Sequence, residues 1–290
     1  MKVVVIGASG YVGAGTVSQL VNQSSSNEII AVIRDTSKKE AKDLESKGAS
    51  VVAGDMANPS SLDSTLSGAD SVYIVVPGHI ERTTLAINAL EACKRAKVGF
   101  VLVLSVLTTD VKGQIFADQF KPVEEATIAS GLNYAIVRLP MFLDNIGAQL
   151  KGLFEGGNQF YTPIESLKQG NSVSVADVGE ASAKILLNPA VHTGKPYNLC
   201  ADASTEADMA AALSKALGKT IEHVQVPYEG AKQAFMGMGF PEWQTDGVIE
   251  LMKNVNDEAS MIKIDGKDTA SILGRAPLTP EAVAAYLTGK

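Results

Sequence analysis

Two cysteines in 290 residues are too few for a disulfide framework or a thiolate metal site. Cys93 falls in a helix-period segment and Cys200 after a strand-like one, and each reads as a small buried hydrophobe. Histidine is equally scarce, and His79, His192 and His223 are too widely spaced to show a metal-ligand pattern, so no metal is expected. No window reaches eighteen consecutive apolar residues, and no charged leader with a cleavage site precedes the first strand-like run. Neither a membrane span nor a signal peptide is expected, and the expected compartment is the cytoplasm. Positive charge is in deficit, with 25 Lys and Arg against 32 Asp and Glu and a net charge of -7, which argues against direct nucleic-acid binding. Repeats, low-complexity stretches and Ser/Gly/Pro linkers are also missing, so the two halves of the chain are expected to be continuous.

What the chain does contain is a core: 46% of residues are hydrophobic and 20% charged, ample for a large buried interior. Apolar runs at 3–7, 29–33, 51–53, 71–76, 100–104 and 134–138 do not alternate with polar residues, so they read as strands covered on both faces. Helix-period segments near 11–22, 38–47, 60–67, 82–97 and 120–130 separate them. This rhythm predicts an α/β fold with a Rossmann-type, doubly wound parallel sheet, whose ligand crevice lies at the carboxyl ends of the strands. After residue 145 the rhythm breaks up, with helices expected at 177–187 and 205–217 and strands at 197–200 and 221–227. Residues 1–145 are expected to form the cofactor-binding domain. Residues 146–290 are expected to form a smaller α/β lobe, interleaved with the first and not a separate folding unit.

The first apolar run, "KVVVIGASGYVG" at residues 2–13, ends in Gly7, Gly10 and Gly13 between a strand and a helix. In that setting Gly7 permits a sharp turn, Gly10 leaves room for a pyrophosphate, and Gly13 lets the helix approach the strand closely. The helix N-terminus offers free N–H groups to the phosphates, and Ser9 adds a hydroxyl donor. The spacing is G-x-x-G-x-x-G, the turn of short-chain and extended dehydrogenases, not G-x-G-x-x-G. Arg34, at the end of the second strand with Lys38 and Lys39 close behind, favours the 2′-phosphate of NADP(H) over the bare ribose of NAD, and Asp35 is the opposing sign. Asp55 and Met56 at the end of the third strand are expected to flank the adenine. Val76 and Pro77 after the fourth are expected to line the nicotinamide-ribose side.

A short-chain reductase pairs a tyrosine acid with a lysine four residues on. Tyr228–Lys232 and Tyr286–Lys290 have that spacing but lie far past the sheet and read as chance. After the fifth strand the candidates are Ser105 and Lys121, and the residue four before Lys121 is Ala117. A ketone reduced by hydride becomes an alkoxide needing a positioned acid, worth about 10²–10⁴-fold. A quinone yields a far less basic phenolate and can dispense with it, leaving Lys121 to supply positive charge to a developing oxyanion.

The stretch 116–145, with "KPVEEATIASGLNYAIVRLPMFLDN", resembles the NmrA-like family of atypical short-chain dehydrogenases. The likeness continues through 33–56, 173–189 and 267–287. It implies an NADP(H)-binding Rossmann domain and a smaller C-terminal domain with a cleft between them. By this resemblance Gly7, Ser9, Gly10, Tyr11 and Val12 would hold the pyrophosphate, Arg34 and Lys38 the 2′-phosphate, and Lys121, Pro140, Met141 and Phe142 would lie along the nicotinamide half. Family members without the tyrosine include quinone and dye reductases and also cofactor-binding, redox-responsive regulators. The expected function is therefore NADPH-dependent reduction of a quinone-like acceptor. A non-catalytic NADP(H) sensor acting on a protein partner is the alternative, ether-reductase chemistry with the lysine as base stays open, and a homodimer is a candidate assembly. His79 reads as an exposed loop residue, with a place at the cleft edge as the other option. The Met- and aromatic-rich "FMGMGFPEW" at 235–243 reads first as lobe core and second as a surface for a flat apolar ligand or a partner.

Overall fold

The computed structural model describes residues 1–23, 26–257 and 264–290. The six apolar runs become strands β1 (Lys2–Ile6), β2 (Glu28–Ile33), β3 (Ser50–Ala53), β4 (Ser71–Ile74), β5 (Phe100–Val106) and β6 (Tyr134–Leu139). Helices α1 (Tyr11–Gln23), α2 (Lys39–Ser46), α3 (Asp63–Leu66), α4 (Arg82–Arg95) and α5 (Ile115–Ala129) lie between them. In the second half follow β7 (Met141–Phe142), α6 (Leu150–Phe154), β8 (Gln159–Thr162), β9 (Ser172–Val173), α7 (Val175–Leu187), α8 (Pro189–His192), β10 (Lys195–Asn198), α9 (Glu206–Leu217) and β11 (Glu222–Gln225). Helices α10 (Tyr228–Gly237), α11 (Glu242–Asn256), α12 (Lys267–Leu273) and α13 (Pro280–Thr288) complete the chain.

The main sheet has seven strands in the order β10-β6-β5-β4-β1-β2-β3, all parallel. Alternate residues of one strand serve opposite faces, and both faces are covered. Val3 and Val5 of β1 join Val17, Leu20, Tyr73 and Leu102 on one side, while Val4 and Ile6 join Leu62, Leu66, Leu85 and Leu90 on the other. Strand order reverses direction between β1 and β4, which opens a crevice at their carboxyl ends. A third cluster, including Leu153, Phe160, Leu213 and Val283, holds the second half together.

Two features depart from the sequence pattern. Helix α5 begins at Ile115, five residues before the expected start, and carries Pro122 inside. Pro122 cannot donate an N–H to the carbonyl one turn back, an interior cost of about 3 kcal/mol, and burial of the Phe116, Phe120, Val123 and Thr127 stripe offsets it. Strand β10, from the second half, adds to the main sheet beside β6, with Tyr197 opposite Val137. Helix α7 crosses α1 at a contact so close that a Cβ on Gly179 would lie 2.9 Å from the backbone carbonyl carbon of Gly15. Among the described residues no helix is long and apolar enough to cross a membrane, and no cluster of His, Cys, Asp and Glu could hold a metal ion.

Candidate functional site

The three glycines of the β1–α1 turn do different work. Gly7 sits at φ +80, and a Cβ there would lie 2.0 Å from the Val75 carbonyl oxygen. A Cβ on Gly13 would come within 2.4 Å of the Gly7 carbonyl oxygen. Both positions are therefore required by the protein itself. A Cβ on Gly10 would meet nothing nearer than 3.8 Å, so its bareness serves no internal contact and leaves open space over the helix N-terminus. The Gly7 and Ala8 N–H groups donate to Val32 O, whereas α1 has no acidic residue in its first turn to neutralise its positive end.

Gly7, Ser9, Gly10, Tyr11 and Val12 line one cavity of about 1540 Å³ that runs along the carboxyl edge of the sheet. Arg34 lines it at the end of β2. Asp35, the contrary residue, does not line it: its Oδ1 accepts from the Ser37 N–H at 3.0 Å and the Ser37 hydroxyl at 2.6 Å, bonds that lower its pKa from the usual carboxylate value. Asp55 and Met56 also line it, at the end of β3, with the Asp55 carboxylate bonded to the Ala57 N–H. Val76, Pro77, Ser105, Pro140, Met141 and Phe142 line the opposite half. His79 also lines the cavity, at its edge; its Nδ1 accepts from the Glu81 N–H, so in the neutral ring Nε2 carries the proton.

Gly13, Lys38 and Lys121 are not brought to the cavity wall. Gly13 serves helix packing, and Lys38 occupies the N-cap position of α2. Lys121 is turned to Asp110, Nζ to Oδ1 at 2.6 Å, with its side chain about 44% exposed. That hydrogen bond holds the Lys121 ammonium above its ordinary pKa and the Asp110 carboxyl below its own. Asp110 in turn meets Arg138, which makes a bidentate pair with the buried Glu124 (Nε–Oε1 2.9 Å, Nη2–Oε2 2.6 Å). The Ser105 hydroxyl donates to Glu124 Oε1 at 2.6 Å. Ser105 and Lys121 are thus the two ends of one ion-pair chain, one at the cavity wall and the other outside it.

The second half closes the cavity. Phe235 of α10, Met238 just after it, and Gln244 and Met252 of α11 line the same cavity as Phe116 and Phe120 of α5. The "FMGMGFPEW" segment is the rim and not the lobe core: Met236, Met238 and Phe240 are exposed, and Phe235 packs edge-on against Phe240 at 5.9 Å. Of the tyrosines only Tyr11 and Tyr161 line the cavity. Tyr228 accepts a hydrogen bond from Asn256 and Tyr286 donates to Asp144, so both Tyr-x-x-x-Lys spacings serve packing.

The chain matches the family model of the NmrA-like family over residues 1–287. It belongs to that family. The NAD(P)H azoreductase of Xenophilus azovorans is 29% identical over 255 residues, 86% of this chain and 85% of that protein. Quinone oxidoreductase 2 of Escherichia coli K12 is 25% identical over 283 residues, 96% of this chain and 95% of its own. The crystal structure of Citrobacter sp. triphenylmethane reductase complexed with NADP(H) shares the fold, with a TM-score of 0.83 at 22% identity, covering 97% of this chain and 98% of that one. The cradle of this NmrA-like protein fits a dinucleotide phosphate on its own geometry, since Gly10 is open where a phosphate would rest and Arg34 lines the cavity while Asp35 is engaged elsewhere.

Sequence reasoning missed Arg82, Phe116, Phe120 and Gln244 of the NmrA-like cavity. A signal existed for the first of these, because Arg82 falls three residues before Leu85 on the buried stripe of α4, where a charge is out of pattern.

Proposed function

We propose that the protein is an NADPH-dependent oxidoreductase that reduces a quinone or similar electron-poor aromatic acceptor. One observation carries this reading: a single cavity joins the glycine turn and Arg34 at one end to a chamber walled by Phe116, Phe120, Phe142, Phe235 and Met252 at the other. Its volume of about 1540 Å³ exceeds the roughly 300–1,000 Å³ usual for one ligand, so it has room for a dinucleotide and a flat apolar molecule together. NADPH, when bound, supplies the hydride. The chain's own residues bind and orient: the turn at Gly10 with the N–H groups of Tyr11 and Val12 receives the pyrophosphate, Arg34 the 2′-phosphate, and Val76, Pro77 and Pro140 to Phe142 the nicotinamide half. The apolar chamber keeps water from the transfer. No tyrosine of β5 or α5 reaches the cavity, which suits an acceptor whose reduced oxygen is weakly basic and does not suit a simple ketone. The unpaired buried thiols of Cys93 and Cys200 support a reducing compartment such as the cytoplasm.

The test is NADPH and NADH oxidation with a panel of quinones and azo dyes, on wild type and Arg34→Ala. Turnover is expected, and Arg34→Ala should raise the KM for NADPH about tenfold or more with NADH little affected, as befits a lost charge-assisted contact. Protein that binds NADPH yet turns over no acceptor would favour the redox-sensor alternative.

A further inference from the structure

We propose that Arg82, caged by Phe116, Phe120 and Trp243, is a subsite for an oxyanion, sulfonate or carboxylate, carried on an aromatic ring. The term acceptor applies to that molecule only if the oxidoreductase reading holds; the binding claim stands by itself. Arg82 is 7% exposed, the first residue of α4, and lines the cavity. Its guanidinium carbon lies over three rings, 4.7 Å from the Phe120 centroid, 5.2 Å from Phe116 and 6.0 Å from Trp243. Phe116 and Trp243 meet edge-on at 6.4 Å, which fixes the walls of the cage.

A buried cation ordinarily has a carboxylate. Arg82 has none among the described residues; the one hydrogen bond of its side chain there is Nε to the Pro77 carbonyl oxygen at 3.2 Å. Of the carboxylates on neighbouring segments, Glu81 is about 70% exposed to solvent, Glu242 and Asp246 hold Lys232, and Glu250 accepts the Ile115 N–H. Burial pushes the guanidinium down to about 10, still a cation at neutral pH. With its faces covered by aromatic rings and Nε used, the fork of terminal N–H groups is what it has left to offer, and a planar fork matches the two oxygens of a carboxylate or sulfonate. The Gln244 amide, close over Gly78 in the same wall, is a neutral polar neighbour. Pro77 ties this subsite to the half of the cavity assigned to the nicotinamide, so an aromatic ring held by its anion would extend toward that half through an apolar chamber.

Trp243 is the only tryptophan, so its emission reports occupancy without any turnover. The full-length protein is titrated with benzenesulfonate and with its neutral counterpart benzenesulfonamide, in a buffer free of small oxyanions and with saturating 2′,5′-ADP so that the anion site of the glycine turn is already filled. The expected result is saturable change in emission with the sulfonate about tenfold or more tighter, a preference abolished in Arg82→Met and reduced several-fold in Arg82→Lys, which keeps the charge and loses the fork. Equal affinities in the wild type, or a preference that survives Arg82→Met, would overturn the proposal. If Arg82→Met does not fold, the wild-type comparison and Arg82→Lys decide it. Because no hydride is transferred, a failed oxidoreductase assay and a failed sulfonate titration are separate results.

Discussion

Gly7 and Gly10 are indistinguishable as letters and opposite in what they touch. Gly7→Ala places a methyl in the Val75 carbonyl at positive φ, and the expected loss is about 2 kcal/mol or more of stability, read as a lowered Tm. Gly10→Ala has space for its methyl, so the melt should match wild type while NADPH affinity falls about tenfold or more as the pyrophosphate loses its approach. Glu206 offers a pH test at the same scale. Burial raises its carboxyl to about 7, against an ordinary value of about 4.3 in the unfolded chain. Between those values the native state holds a proton that the unfolded state has lost, so stability falls as pH rises through the window, by up to ~1.4 kcal/mol per unit, less whatever the positive end of α9 returns. Glu206→Gln should flatten that part of the Tm-against-pH profile; an unchanged slope would show that the carboxyl is ionised throughout. The place of Arg34 at the cavity was legible because it follows from strand position, whereas the fate of Asp35 depended on whether a hydroxyl two residues on would claim it. Arg82 stands out as a charge on the buried stripe of α4, but its cage could not be read, because it comes from positions 116, 120 and 243, which only the fold brings together.

Elements formed by local pattern were legible, and those that depend on distant partners were less so. Six apolar runs became six parallel strands because burial on both faces leaves a continuous signature. The start of α5 was hidden by Pro122, since a proline usually marks a helix's first turn and here a stripe of aromatic burial overrides it. The place of β10 in the main sheet was equally hidden, because "KPYN" carries no apolar run and its position depends on β6. At this scale the Glu124–Arg138 pair joins α5 to β6. Glu124→Gln keeps an oxygen that can accept from the Ser105 hydroxyl but leaves the Arg138 guanidinium without its buried counter-charge, with an expected cost of about 3–5 kcal/mol. A melt within experimental error of wild type would show that solvent reaches the pair freely.

The whole molecule is a parallel sheet whose carboxyl edge is roofed by its own second half, so one cavity has room for both a cofactor and an acceptor. The fold class and the phosphate end of the site follow from the first strand and turn, but the chamber does not, because α10 and α11 have no pattern that says which way they face. Binding of NADP+ at about a hundred times its Kd should stabilise the protein by about 2.7 kcal/mol, visible as a raised Tm, and at the same nucleotide concentration Gly10→Ala should cut that gain to about half or less. The most direct measurement is a rapid-mixing experiment in which protein loaded with NADPH, or with NADPH carrying deuterium on the transferred position, meets a quinone. Rapid oxidation of the bound nucleotide, slowed by deuterium, is the expected result; bound NADPH that persists unchanged beside saturating quinone would contradict hydride transfer to such an acceptor.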